Sequence, residues 1–107
     1  MEFEKSKIFD LAESVNYSEN ATVSKMVLKK QTGNITLFAF DSGQSLSEHS
    51  APFDAYVLVT EGKGRILIDR VAHDLSAGQF IVMPANIPHA VQALEKFKMM
   101  LVMIKGD

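Results

Sequence analysis

Two of the three histidines in this 107-residue chain stand in segments whose glycines and prolines are regularly spaced. His49 lies six residues after Gly43, and His89 lies five residues after Pro84. Imidazole is a common metal ligand, and its charge changes close to neutral pH. The two histidines are therefore candidates to hold a metal ion or to orient a small molecule.

Strand alternation predicts which side chains accompany the histidines. Successive residues of a strand face opposite sides, so residues two apart share a face. If both histidines point inward, small apolar side chains surround them. The expected ligand-binding residues are His49, Ala51, Ala55, Val57, His89, Val91 and Ala93. Two imidazoles among small apolar groups are typical of a small-molecule pocket, which is mostly apolar with a few orienting polar groups.

A metal ion at this site would have His49 and His89 as its ligands. Catalytic zinc sites usually keep three protein ligands, so two imidazoles predict weak binding of a divalent transition metal, and no cofactor is firmly implied. Asp54 has the opposite face from Ala55 and would reach the site only through a bulge near residue 52. Gln44 and Met99 are further candidates for a third ligand, and Met99 or Met103 would suit a soft metal.

The sequence pattern predicts that these residues lie on short strands, which are separated by Gly, Pro, Asn and Asp. Residues 1–20 are polar, with one helical turn expected within 8–13, and residues 21–107 form a single barrel domain. The predicted strands are 22–30, 33–41, 46–49, 55–60, 65–70, 71–75, 79–83, 89–94 and 97–105, with a turn at 61–64. This pattern predicts an all-β sandwich or barrel.

In its glycine, proline and histidine spacing the chain resembles the cupin superfamily, in particular the small single-domain conserved-barrel proteins of the cupin 2 type. The matching positions are Gly43, His49, Gly62, Gly78, Pro84 and His89. The resemblance implies a double-stranded β-helix, or jelly-roll, barrel with a central site of four metal ligands. Ala51 and Ala55 stand where the second histidine and the glutamate are expected, and Ala93 replaces a terminal asparagine. The metal motif is therefore degenerate, and only His49 and His89 remain.

Composition excludes several classes of partner. The net charge is −2, and the lysines and arginines are scattered, so neither a nucleic-acid face nor a membrane-binding patch is expected. The chain has no cysteine and no apolar leader, which favours a cytoplasmic protein. The strands at 79–83 and 98–104 are apolar on both faces, and this predicts a homodimer.

Three functions fit the sequence. The first is a regulatory or non-catalytic barrel that binds a small organic ligand at its centre. The second is a metal-dependent enzyme of the dioxygenase or isomerase type that uses His49 and His89. The third is an interaction protein with a vestigial pocket. His73 lies outside both motifs and is expected to be a partly buried strand residue, and Tyr56 is expected to point away from the pocket.

Overall fold

The computed structural model describes residues 2–106, and most of these residues lie in β-strands. The strands are β1 (Thr22–Lys30), β2 (Gly33–Phe40), β3 (Ser45–His49), β4 (Phe53–Ile68), β5 (Val71–Ser76), β6 (Phe80–Met83), β7 (His89–Gln92) and β8 (Phe97–Lys105). One turn of 3₁₀-helix precedes them at Leu11–Glu13. The all-β prediction is confirmed.

The strands form two curled sheets that share β4. The first sheet has the order β1-β2-β8-β4-β6, and the second has the order β5-β4-β7-β3. All of these pairs are antiparallel. The main core lies between the sheets, where Val57 and Val59 of the first sheet belong to one cluster with Ile66 and Val91 of the second.

The predicted turn at residues 61–64 is wrong, because β4 continues through it as one strand of 16 residues. The pairing of β4 with β8 shifts between Val59 and Glu61, and Gly62 has a φ of 74°. A glycine with positive φ lets a strand bulge and bend without ending it. Gly62 therefore lets β4 pass from one sheet into the other.

Strand β8 separates the interior of the barrel from its outer face. Met99 and Leu101 face inward, and Met100 and Val102 face outward, as alternation predicts. The N-terminal segment lies on part of the outer face, where Val15 is buried against Leu37 and Ala39. No helix within residues 2–106 has the length and apolar character needed to cross a membrane.

Candidate functional site

A cavity of about 250 Å³ lies between the two sheets. Its wall comes from six of the eight strands. The lining residues are Phe38, Leu46, His49, Ala55, Met83, His89, Val91, Met99, Leu101 and Met103. Only the two histidines carry nitrogen or oxygen in the lining side chains, so any polar contact from a side chain to a guest has to come from them.

The two histidines meet because β3 ends and β7 begins at the same point of the second sheet. His49 is the last residue of β3, His89 is the first of β7, and the two are paired across the strands. Their Nε2 atoms are 3.2 Å apart, and the rings meet edge to face with centroids 4.4 Å apart. His89 is buried, with 6% of its surface exposed, whereas His49 lies at the exposed rim.

Backbone hydrogen bonds fix the loop that leads into His89. Asn86, with a φ of 66°, donates its backbone N–H to the carbonyl of Ala51 at 2.8 Å. The backbone N–H of Ala85 donates to the carboxylate of Asp54 at 2.9 Å. Asparagine tolerates positive φ better than most residues, so this turn does not require a glycine at position 86. The carboxylate of Asp54 thus holds this loop instead of reaching the cavity.

The hydrogen bonds of the ring Nδ1 atoms determine whether each Nε2 atom carries a hydrogen or a lone pair. His49 Nδ1 lies 2.9 Å from the carbonyl oxygen of Ser47, and His89 Nδ1 lies 3.3 Å from that of Ile87. A carbonyl oxygen only accepts, so each Nδ1 carries its hydrogen. In two neutral rings the Nε2 lone pairs then face each other. One added proton, or an electron-pair acceptor, turns this repulsive contact into a favourable one.

Burial makes His89 harder to protonate than an exposed histidine. Desolvation is the main cause of its lowered pKa, and the nearby charge of His49 acts in the same direction. The hydrogen bond to the Ile87 carbonyl opposes both effects. At neutral pH His89 is therefore mainly uncharged, with a lone pair on its Nε2.

The structure brings four of the seven predicted site residues to the cavity wall: His49, Ala55, His89 and Val91. Ala51 lies beyond the end of β3, so strand alternation no longer applies to it. Val57 and Ala93 are buried deeper in the core and do not line the cavity. His73 is half-buried on β5, as predicted.

Sequence reasoning missed four lining residues, Phe38, Leu46, Met83 and Leu101. Leu46 lies on the same strand as His49, and the irregular pairing of β3 between the two residues brings both to the wall. Met83 pairs directly with Ala55, so it follows from the predicted site once the register of β6 against β4 is known. Met99 and Met103 of β8, the two candidates for a soft metal, both line the cavity. Three thioethers thus stand on the wall where polar ligands are lacking.

The residues present do not fit a three-ligand zinc, iron or manganese centre. The separation of the two Nε2 atoms suits two ligands of one ion with bonds of about 2.1 Å. However, no group of three His, Cys, Asp or Glu side chains that could hold a metal occurs within residues 2–106. Ala55 lines the wall beside the pair, and its methyl group donates nothing to a metal.

The fold and the motif residues define the class of this protein. A family model described as "Cupin domain" matches residues 36–105, and the chain belongs to this family. Ala51, Ala55 and Ala93 stand at positions where the resemblance to this family implied polar residues.

Solved structures agree with this assignment. A conserved protein of unknown function from Streptococcus pyogenes is 38% identical, with a TM-score of 0.93, over 100% of this chain and 94% of that chain. A cupin 2 conserved barrel domain protein from Leptotrichia buccalis is 43% identical, with a TM-score of 0.88, over 91% of this chain. The match covers only 47% of the Leptotrichia chain, so this protein spans about half its length. No curated protein matches the chain.

Proposed function

We propose that this protein binds a small, largely apolar organic molecule in the cavity, with one polar group of the molecule against His49 and His89. The observation that carries the proposal is the makeup of the wall, in which two imidazoles are surrounded by hydrocarbon and thioether side chains. Apolar wall atoms lose dispersion contacts when nothing packs against them. A guest of matching shape restores those contacts.

The wall favours a ligand with a single polar group. A sugar would bring several hydroxyls into a cavity whose side chains offer two hydrogen-bonding atoms, and each unpaired buried polar group costs about 1–3 kcal/mol. A monocarboxylic acid brings one proton with it, and this proton, shared between its carboxylate and an Nε2 lone pair of the histidines, makes the one hydrogen bond that the ligand needs. Small aliphatic or aromatic monocarboxylic acids are therefore the ligand class we expect.

The side chains around His49 and His89 favour a binding role without catalysis. An imidazole acts as a general base when a nucleophile or a polarised group lies within hydrogen-bond reach. None of the other lining side chains described between residues 2 and 106 carries a hydroxyl, an amine or a carboxylate. The metal-dependent enzyme would need a third ligand that the described residues do not supply.

A thermal-shift screen tests the proposal with a matched control. Monocarboxylic acids, the corresponding alcohols and sugars are compared on wild type, on the His49→Ala, His89→Ala double variant, and on His73→Ala, which removes a histidine outside the cavity. We expect monocarboxylates to raise the Tm of wild type and His73→Ala, and to have little effect on the double variant. The proposal fails if no compound stabilises wild type more than the double variant.

Elemental analysis tests the alternative. Two imidazole ligands hold zinc, iron or manganese weakly, so we expect well under one metal ion per chain after exhaustive dialysis. Stoichiometric metal that the His49→Ala, His89→Ala variant loses would contradict this expectation and favour the metal-dependent enzyme.

A further inference from the structure

The two sheets give the cavity two chemically different walls. The second sheet supplies both histidines, together with Leu46 and Val91. The lining side chains from the first sheet are all apolar, and they comprise one phenyl ring, three thioethers and two aliphatic groups. These residues are Phe38, Met83, Met99, Met103, Ala55 and Leu101. A guest whose carboxyl group lies at the histidines therefore extends its apolar part toward the first sheet.

Phe38 gives the wall of the first sheet an aromatic surface. This residue is half-buried and borders the cavity. Its ring stacks on Phe40 with centroids 5.7 Å apart and planes 19° from parallel, and Phe40 in turn stacks on Phe97. Three rings are thus stacked in series, from Phe97 in the core to Phe38 at the cavity. Because aromatic rings favour offset-stacked and edge-to-face neighbours, an aromatic guest beside Phe38 would add a fourth ring to this series.

The three methionines lie where they can contact the same guest. Met99 pairs directly with Phe38 across β8 and β2. Met103 and Met83 both pair with Ala55, on opposite sides of it. Thioether sulfur makes favourable contacts with aromatic rings, often at the ring edge, and a saturated ring or an alkyl chain does not provide these contacts. The side chains around Ala55 and Phe38 therefore favour an aromatic guest over a saturated guest of the same size.

The size of the cavity agrees with a ring of this kind. An apolar cavity of about 150 Å³ binds benzene. The cavity beside the histidines measures about 250 Å³, so it has room for a six-membered ring, a carboxyl group and a small substituent. A ring is also rigid, so it loses less conformational freedom on binding than an alkyl chain with the same number of carbons.

We propose that the ligand of this cavity is an aromatic monocarboxylic acid, whose ring lies against Phe38 and the three methionines while its carboxyl group lies at His49 and His89. This inference rests on the proposed binding of a monocarboxylic acid, and it adds the part of the ligand that the first sheet recognises. Phe38 is then the residue that determines specificity. Contact of the guest ring with the Phe38 ring should raise the binding constant about two- to tenfold over that of a saturated ring.

Two acids of nearly equal size separate the effect of the ring from that of the carboxyl group. Benzoate and cyclohexanecarboxylate each carry one carboxylate on a six-carbon ring, and of the two only benzoate is aromatic. Isothermal titration calorimetry of the whole chain should give a dissociation constant for benzoate that is about two- to tenfold lower.

The possible results distinguish the aromatic preference from the proposed function. Equal affinities, tighter binding of cyclohexanecarboxylate, or binding of hexanoate alone would overturn the aromatic preference and leave the proposed function in place. If none of the three acids binds, both the aromatic preference and the proposed function are wrong.

A pair of variants tests the role of Phe38. Phe38→Leu removes the ring and keeps an apolar side chain on the wall, so we expect the preference for benzoate to fall at least twofold. Leu46→Val is the matched control, because it changes a lining side chain of the second sheet that has no ring. This control should keep the wild-type ratio of the two dissociation constants. An unchanged ratio in Phe38→Leu, or an equal change in Leu46→Val, would contradict the role of Phe38.

A measurement on wild type does not depend on how well a variant folds. The ring current of an aromatic guest changes the NMR frequency of methyl groups packed against it, and a saturated ring has no such effect. Saturating benzoate should therefore shift the methyl signals of Met83, Met99 and Met103 severalfold more than saturating cyclohexanecarboxylate does. Equal shifts with the two acids would place the aromatic ring away from the thioethers and overturn the proposal.

Discussion

The two ends of the barrel interior are filled in different ways, although the same strands build both. At one end Phe40 and Phe97 stack with centroids 4.7 Å apart and planes 2° from parallel. The next inward pair along β2 and β8 is Phe38 with Met99, and these residues already border the cavity. On β4, Ala55 faces the cavity end with a single methyl group. Side-chain size, and not the course of the strands, therefore creates the cavity.

The surroundings of Gly62 and Gly64 show how tightly the end with Phe40 and Phe97 is packed. A Cβ atom at Gly64 would lie 2.4 Å from Phe97 Cε2, and one at Gly62 would lie 2.3 Å from the carbonyl oxygen of Lys96. The packed end thus has no room for even one more methyl group. At the cavity end the methyl of Ala55 borders open space of about 250 Å³. Changes in side-chain volume should therefore lower the free energy of unfolding more at the packed end than at the cavity end.

The largest effect is expected from Phe97→Ala. Phe97 is fully buried and stacked on Phe40, so its removal should lower the free energy of unfolding by about 3–5 kcal/mol. Leu101→Ala, at the cavity wall, should cost less because one side of Leu101 already lacks packing partners. Urea unfolding of both variants measures the difference. Equal losses would mean that the two ends are packed alike.

A smaller change in stability, with loss of binding, is expected from Ala55→Leu. The added carbons enter the cavity, so the free energy of unfolding should change by less than about 1.5 kcal/mol. Gly64→Ala adds only one carbon at the packed end and should destabilise by about 1–3 kcal/mol. Monocarboxylates should no longer raise the Tm of Ala55→Leu. Retained binding in this variant would place the ligand elsewhere.

The smallest expected effect is on the pH dependence of stability, through His89. Because the pKa of His89 is lowered in the folded protein, the unfolded chain binds more protons in the range just below the ordinary histidine pKa of about 6.5. The stability that neutral His89 contributes is present above that pH and is lost as the pH falls below it toward the lowered folded value. His89→Gln should lose less stability than wild type between about pH 7 and pH 5. Parallel losses in urea unfolding would indicate that His89 is not buried as neutral imidazole.

Much of the fold could be predicted because its signals are local. Alternation on β8 placed Met99 and Met103 together, and motif spacing singled out His49 and His89. The bend in β4 could not be predicted, since Gly62 permits both a turn and a bulge, and only the pairing with β8 decides between them. Asp69 and Arg70 form the β4–β5 turn with positive φ at both residues, and neither is the glycine that usually signals it.

The site was predicted in part for a similar reason. His89 and Val91 lie two apart within one strand, so alternation relates them directly. Ala51 follows the end of β3, and the sequence does not mark that end. Phe38 and Met83 reach the wall through pairing between strands that are far apart in the chain. Long-range register, which no local pattern encodes, determines these contacts.

The central claim is that the cavity beside the histidine pair binds a small organic acid, and methyl NMR tests it most directly. Met83, Met99 and Met103 line the cavity, whereas Met26 and Met100 do not. In protein labelled with ¹³C at the methionine methyls, titration with a stabilising monocarboxylate should shift the three cavity methyls and leave Met26 and Met100 nearly unchanged. Shifts confined to Met26 and Met100, or no saturable shift with any monocarboxylate, would contradict the claim.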